Sequence, residues 1–179
     1  MAELTTGTWN YDATHSEVGF TVRHAGITKV RGSFSQVEAE LTIAENIAES
    51  TVEATVGMDS VSTGNADRDG HLRGADFFDA ENHPEMIFTS TSFELDGQDL
   101  TIAGNLTIKG ETRPVTFTGE FTGAVVDAFG ATRAGASVTT TISRKDFGIT
   151  WNAAVEAGGV LVSDKVVINL DVAFIAPES

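Results

Sequence analysis

The stretch Phe93-Glu-Leu-Asp-Gly-Gln-Asp-Leu100-Thr-Ile-Ala-Gly-Asn-Leu-Thr-Ile108-Lys-Gly-Glu-Thr-Arg-Pro-Val115-Thr-Phe-Thr-Gly-Glu-Phe121 decides the fold. Its apolar residues fall on every second position: Phe93 and Leu95, Leu100 and Ile102, Leu106 and Ile108, Val115 and Phe117 with Phe121. Thr, Glu, Asp and Asn fill the gaps. A period of two puts one face of a strand in the core and the other in water. The alternation breaks at Asp96-Gly97 and Lys109-Gly110, pairs suited to the positive φ angles of tight hairpins. The centre of the chain therefore reads as an antiparallel meander, with no room for parallel crossovers.

The same alternation extends both ways. It runs through Val18, Phe20, Val22; Val37, Ala39, Leu41, Ile43; and Val52, Ala54, Val56, Met58. It resumes at Ile87, Phe93, Leu95, with Thr89 and Thr91 between, then at Val138, Thr140, Ile142 and at Val166, Ile168, Leu170, Val172, Phe174. Together these make an all-β chain of eight amphipathic segments. Two packed sheets would bury their apolar faces, and so would one sheet closed into a barrel, whose interior is either filled by side chains or open to one small ligand.

Asn65 to Asp79 breaks the pattern. Arg68, His71, Leu72 and Ala75 are spaced for one face of a helix, with Asn65 as N-cap and Asp67 in the first turn. Gly70 and Gly74 weaken such a helix by about 1 kcal/mol each, so it is short and depends on its packing. This short helical insertion, around residues 65–80, fits across an end or the outside of the sheet, anchored by Phe77 and Phe78.

The 179 residues fit one domain, 1–179, able to bury about 70% of its unfolded surface. Lys plus Arg number 11 against 26 Asp plus Glu, a net charge of −15 that repels phosphate backbones and argues against nucleic acid as a partner. Without cysteine there is no disulfide, thiol nucleophile or thiolate metal site. The opening Met1-Ala-Glu-Leu-Thr-Thr-Gly-Thr-Trp9 lacks the basic and apolar regions of a secretory signal, so a cytoplasmic location is expected. Val166 to Ala176 is too short and too polar to span a membrane.

Two polar residues continue apolar faces. His24 follows Val18, Phe20 and Val22 at even spacing, and Arg144 follows Val138, Thr140 and Ile142. A buried arginine must meet a carboxylate, backbone carbonyls or the polar end of a ligand. The plainer reading puts both at a strand end, satisfied by a local partner such as Asp146. Asp67, Asp69 and His71 alternate along a helix and share no face, so no metal site is expected. No Gly-x-Ser-x-Gly elbow marks a nucleophile. Trp9 and Trp151 suit core or barrel-end packing.

The order and spacing of these pieces resemble the YceI-like family over nearly the whole chain. The resemblance rests on Trp9 with Asp12, His15-Ser16, Phe20-Thr-Val-Arg-His24, Val30-Arg-Gly-Ser-Phe34, Thr63-Gly-Asn-Ala-Asp-Arg-Asp-Gly-His-Leu72 and Asp76-Phe-Phe-Asp79. It also rests on Pro84 with Phe88, Gly104-Asn-Leu-Thr-Ile108, Pro114-Val115 and Arg144-Lys-Asp-Phe-Gly148. It implies an eight-stranded antiparallel, lipocalin-like barrel around an elongated apolar interior that holds a polyisoprenoid, isoprenoid quinone or fatty-acid derivative, with no cofactor and no catalysis. Many relatives carry a signal peptide that this chain does not show. The tail would then meet Phe20, Val22, Leu41, Val56, Phe77, Phe78 and Phe93, and beyond them Ile102, Leu106, Phe117, Ile142, Ile168 and Leu170. The head group would meet His24, Arg68, His71 and Arg144.

Three functions stay open at this point. The first is a non-enzymatic lipid or isoprenoid binder. The second is an enzyme on such a molecule with His24 or His71 as proton-transfer group. The third is a filled β-sandwich acting through its acidic surface as a stress or interaction protein. An exposed strand at an imperfect closure would pair two chains as a homodimer.

Overall fold

A computed structural model describes residues 3–152 and 162–177. The strands are β1 (Gly7–Tyr11), β2 (Glu17–His24), β3 (Thr28–Phe34), β4 (Val37–Ile43), β5 (Thr51–Gly57) and β6 (Val61–Ser62). After helix α1 (Ala66–Arg73) come β7 (Glu85–Asp96), β8 (Asp99–Ile108), β9 (Glu111–Val126), β10 (Thr132–Ser143) and β11 (Lys165–Ile175). All pairings are antiparallel, and β11 closes the sheet against the first strands.

The 11 strands make only eight staves, because three staves are broken. β1 and β2 lie one after the other along β11, with Tyr11 opposite Phe174 and Glu17 opposite Asp171. β3 and β4 together run back along them, Phe34 facing Val18 and Glu40 facing Asn10. β5 and β6 form the third broken stave, paired through Val56–Val37 and Val61–Phe34. The breaks are locally specified. Asp12 accepts a hydrogen bond from the Thr14 N–H at 3.2 Å, capping a short 3₁₀ turn at Ala13–His15. Arg133 on β10 reaches the same carboxylate at 2.9 Å and pins the kink to the barrel. The other two breaks are stitched to each other: the Gly57 N–H donates to the Gln36 carbonyl at 2.8 Å, and the Gln36 N–H to Ser60 Oγ at 3.0 Å.

The eight segments seen in the sequence each belong to one stave, while the alternation does not single out β1, β3 and β6, the strands that complete the broken staves. The two-sheet alternative is overturned by the β11 closure. One facing also needs correction. The alternation assigns Ile87 to the apolar face with Phe93, but Ile87 is 42% exposed, whereas Met86 and Phe88 are buried. A bulge explains this: Ser90 pairs Gly104 and Ser92 pairs Ala103, so Thr91 is an extra residue and parity reverses across it. The hairpins at Gly97 and at Lys109-Gly110 form where expected, with φ of 62°, 52° and 78°.

The helix is short, as its two glycines require. The Asn65 side chain accepts from the Arg68 N–H at 3.0 Å, while Ala75 lies past its end. α1, the β2–β3 and β8–β9 hairpins and the turn Arg144–Phe147 gather at one end of the barrel, here the helix end. Trp9 is fully buried and donates its Nε1–H to the Thr5 carbonyl at 2.9 Å.

Candidate functional site

The barrel is hollow. A cavity of about 500 Å³ occupies its helix end. A second, of about 150 Å³, lies deeper. Val18, Met86 and Ile168 line both, so the two follow one another along the axis. The first lies in the size range of ligand sites, and a space with the second's apolar lining accepts a small hydrocarbon group. The filled-core alternative does not describe this interior.

Of the apolar residues singled out in the sequence, Phe20, Val22, Phe77, Phe78, Ile142 and Ile168 line the larger cavity. Leu41, Val56, Phe93, Ile102, Leu106, Phe117 and Leu170 line the deeper one, together with Ile168. Alternation alone places most of them, since each inward position of a closed sheet faces the axis. Phe77 and Phe78 come instead from the loop after α1. Phe77 packs on Trp151 with ring centroids 5.3 Å apart, and Phe78 on Phe34 at 6.0 Å.

His24, Arg68, His71 and Arg144 all reach the wall of the larger cavity, but their polar atoms are engaged to different degrees. His24 ends β2 with an exposed side chain, beside its backbone bridge to Val162. Arg68 is held by Thr63: Nε donates to Oγ1 at 2.7 Å and a terminal nitrogen to the carbonyl at 2.8 Å. The same Thr63 hydroxyl donates to buried Asp69 at 2.6 Å. The helix therefore turns one of its acidic residues inward, where it also takes the Thr63 N–H at 2.8 Å. His71 Nε2 lies 3.0 Å from Asp76 Oδ2, and its ring meets Phe77 and Trp151 edge-on, with centroids at 4.9 and 4.8 Å.

Arg144 is 4% exposed, and its partner is neither Asp146 nor any other carboxylate in direct contact among the described residues. Its guanidinium donates to the carbonyls of Ser163 at 2.9 Å, Ile149 at 2.8 Å, Trp151 at 2.9 Å and Val162 at 3.2 Å. Most of its donor capacity is thus spent on main chain. Burial lowers its pKa, and the charge of Asp164 opposes that shift. Asp164 in turn is held below the ordinary carboxylate range, first by the Ser143 hydroxyl at 2.6 Å, then by the Lys145 N–H and the charges of Lys145 and Arg144. The guanidinium thereby fixes the chain on both sides of residues 153–161.

Sequence reasoning missed Thr63 and the inward role of Trp151. Thr63 acts through a contact with no periodic signature. Trp151 does close the barrel end, as its residue type suggests, but it does so as a half-buried wall of the cavity. Among the described residues no group of three or more His, Asp or Glu side chains is arranged to hold a metal ion, and no helix is long and apolar enough to cross a membrane.

The sequence matches the YceI-like domain family over residues 9–174. Protein YceI of Escherichia coli O17:K52:H18 is 40% identical over 136 residues, covering 75% of this chain and 71% of that one. The crystal structure of a Campylobacter jejuni YceI protein superposes with a TM-score of 0.75 at 30% identity, over 99% of this chain and 100% of the other. A polyisoprenoid binding domain from Saccharophagus degradans shares the fold, with a TM-score of 0.72 at 16% identity over 97% of this chain and 100% of its own.

Proposed function

This chain belongs to the YceI-like family, and from that we propose that it binds and sequesters, without turnover, a long-chain amphiphile of the isoprenoid or fatty-acyl class inside its barrel. The observation that carries the reading is the pair of apolar cavities in line along the axis, with charged and imidazole side chains gathered, among the described residues, at the helix end. A linear apolar chain fits that shape, with its tail toward Phe93 and Phe117 and its head beside His71 and Arg68. The fold shared with a polyisoprenoid binding domain supports the same ligand class.

The energetics favour recognition through the tail. Each methylene withdrawn from water contributes about 0.8 kcal/mol, so a few isoprene units outweigh one charge-assisted hydrogen bond of about 1.5–3 kcal/mol. The head group sets orientation and preference. Arg68 and His71 keep some donor capacity for it, whereas Arg144 has little left and serves chiefly to hold the wall. With 15 net negative charges, a neutral head such as a quinone meets less long-range repulsion than a pyrophosphate.

The test is extraction and native mass spectrometry of protein purified from its own host. The expected result is one bound lipid per chain, lost on organic extraction. A protein that emerges empty and takes up neither a quinone nor a fatty acid when either is offered would falsify the reading.

A further inference from the structure

The net charge of −15 conceals a strong asymmetry along the barrel. Of the 11 lysines and arginines, all among the described residues, only Arg133 lies at the end opposite α1, and it is paired there with Asp12 and Asp127. That far end carries Glu45, Glu49, Asp96, Asp99, Glu120 and Asp127. The β2–β3 hairpin is the reverse case. From Val18 to Val37 there is no acidic residue, yet the stretch holds Arg23, Lys29 and Arg31. Arg23 stands directly opposite Lys29, and Arg31 opposite Thr21, so the register sets all three cations on the outer face of the hairpin, with Arg23 also bordering the larger cavity at its mouth. Like charges facing across strands repel, and among the described residues none of the three makes a side-chain hydrogen bond or ion pair. At the tip, beyond the turn at Ala25-Gly26, Ile27 is 78% exposed.

We propose that this hairpin docks the helix end of the barrel onto an anionic lipid bilayer, with Arg23, Lys29 and Arg31 on the headgroups and Ile27 inserted between them. Cations without a partner among the described residues, around one exposed apolar tip, match a surface that is negative outside and apolar just beneath. The hairpin also borders the cavity, since Val22, His24 and Val30 line it, so docking sets the cavity's polar rim against the membrane. The helix end also holds Asp59, Asp67, Asp76, Asp79, Glu111, Asp146 and Asp164 beside its other cations, so the contact is confined to the hairpin, and the acidic far end does not oppose it. A 12-residue strand such as β10 is about 40 Å long, several times the Debye length of about 8 Å, so the distant charges are screened while the hairpin touches. They orient the molecule instead, because they keep the far end off the same surface. Phe129 at the β9–β10 tip is 95% exposed, but it sits beside Asp127, and an anionic membrane repels that tip.

The charge distribution carries this docking mode whether or not the cargo is a lipid. It is read on vesicles without any isoprenoid, so its failure and that of the proposed function are separate results. The chain has no cysteine, so Ile27→Cys and Phe129→Cys each accept a single environment-sensitive fluorophore. With vesicles of 70% phosphatidylcholine and 30% phosphatidylglycerol, the probe at position 27 is expected to shift to the blue and the one at 129 to stay unchanged. Pure phosphatidylcholine or 1 M NaCl abolishes the response. Replacing Arg23, Lys29 and Arg31 together by Ser weakens co-flotation of the protein with the anionic vesicles about a hundredfold, and Ile27→Ser alone about tenfold. Wild-type protein that ignores anionic vesicles overturns the proposal, and so does a response at 129 in place of 27. It is also overturned if the triple variant dimerises with unchanged flotation, which assigns the cations to guarding the edge of β3, where residues 28–32 pair only with β2 among the described residues, or if the probe responds to duplex DNA but not to vesicles.

Discussion

The Arg144 guanidinium donates to the Trp151 carbonyl at 2.9 Å, so a buried cation holds the residue whose indole walls the cavity beside His71. Three further carbonyls share the same guanidinium, and a planar fork of fixed donors is what such a cluster requires. Arg144→Ala is expected to cost about 3 kcal/mol in chemical denaturation, because the carbonyls lose charge-assisted bonds inside a largely dry wall. Arg144→Lys recovers only part of this, since one ammonium cannot reach four acceptors. Trp151 fluorescence provides the local readout and shifts to the red in both variants. If Arg144→Ala left stability and emission unchanged, the clamp would have no energetic role.

Acid should loosen the same region. The Asp164 carboxylate is stabilised in the fold by the Ser143 hydroxyl and neighbouring charges, so its folded pKa lies below the unfolded one. A depressed acid contributes stability that is present above the unfolded value of about 3.9 and is lost as pH falls through the folded value. Stability should therefore be flat between about pH 7 and 5 as far as this group is concerned, then fall below about pH 4. Ser143→Ala is expected to move the Asp164 titration upward, which carboxyl NMR detects, and Asp164→Asn to remove its share of the acid-side loss. An Asp164 resonance that titrates identically with and without the Ser143 hydroxyl contradicts the assignment.

Much of the barrel is legible in the sequence because a closed meander repeats one rule, apolar in and polar out, along every stave. The helix is legible from its Asn65 cap and its spacing. Parity fails where the chain inserts a residue. Thr91 carries no mark of a bulge in the sequence and suits a regular strand as well as an irregular one, so alternation gives Ile87 the facing that belongs to Phe88. Parity does carry His24 and Arg144 to the cavity wall, yet Arg144 bonds to the carbonyls of Ile149, Trp151, Val162 and Ser163, a set of acceptors that no local pattern encodes. The consequence is measurable. Phe88 packs on Phe117 with centroids 5.4 Å apart, so Phe88→Ala should cost about 3–5 kcal/mol, whereas Ile87→Ser should change stability by less than about 0.5 kcal/mol. Equal losses in urea denaturation would place both side chains inside.

Stability and binding should move in opposite directions when the hollow is filled. Val166 and Ile142 line the larger cavity on neighbouring strands, paired across β10 and β11. Replacing Val166 by Phe adds apolar volume where no side chain now sits, so it is expected to leave stability unchanged or raise it by about 0.5–2 kcal/mol. The same ring occupies space that a lipid tail needs, and affinity for a long-chain quinone should fall at least about tenfold, measured by quenching of Trp151. Val56→Asp provides the contrasting case. An unpaired carboxylate in the deeper cavity costs several kcal/mol, so fold and binding are lost together. A carrier that binds inside its barrel must show this split: Val166→Phe separates binding from folding, and Val56→Asp does not. Unaltered quinone affinity in a well-folded Val166→Phe protein would put the ligand somewhere other than the larger cavity.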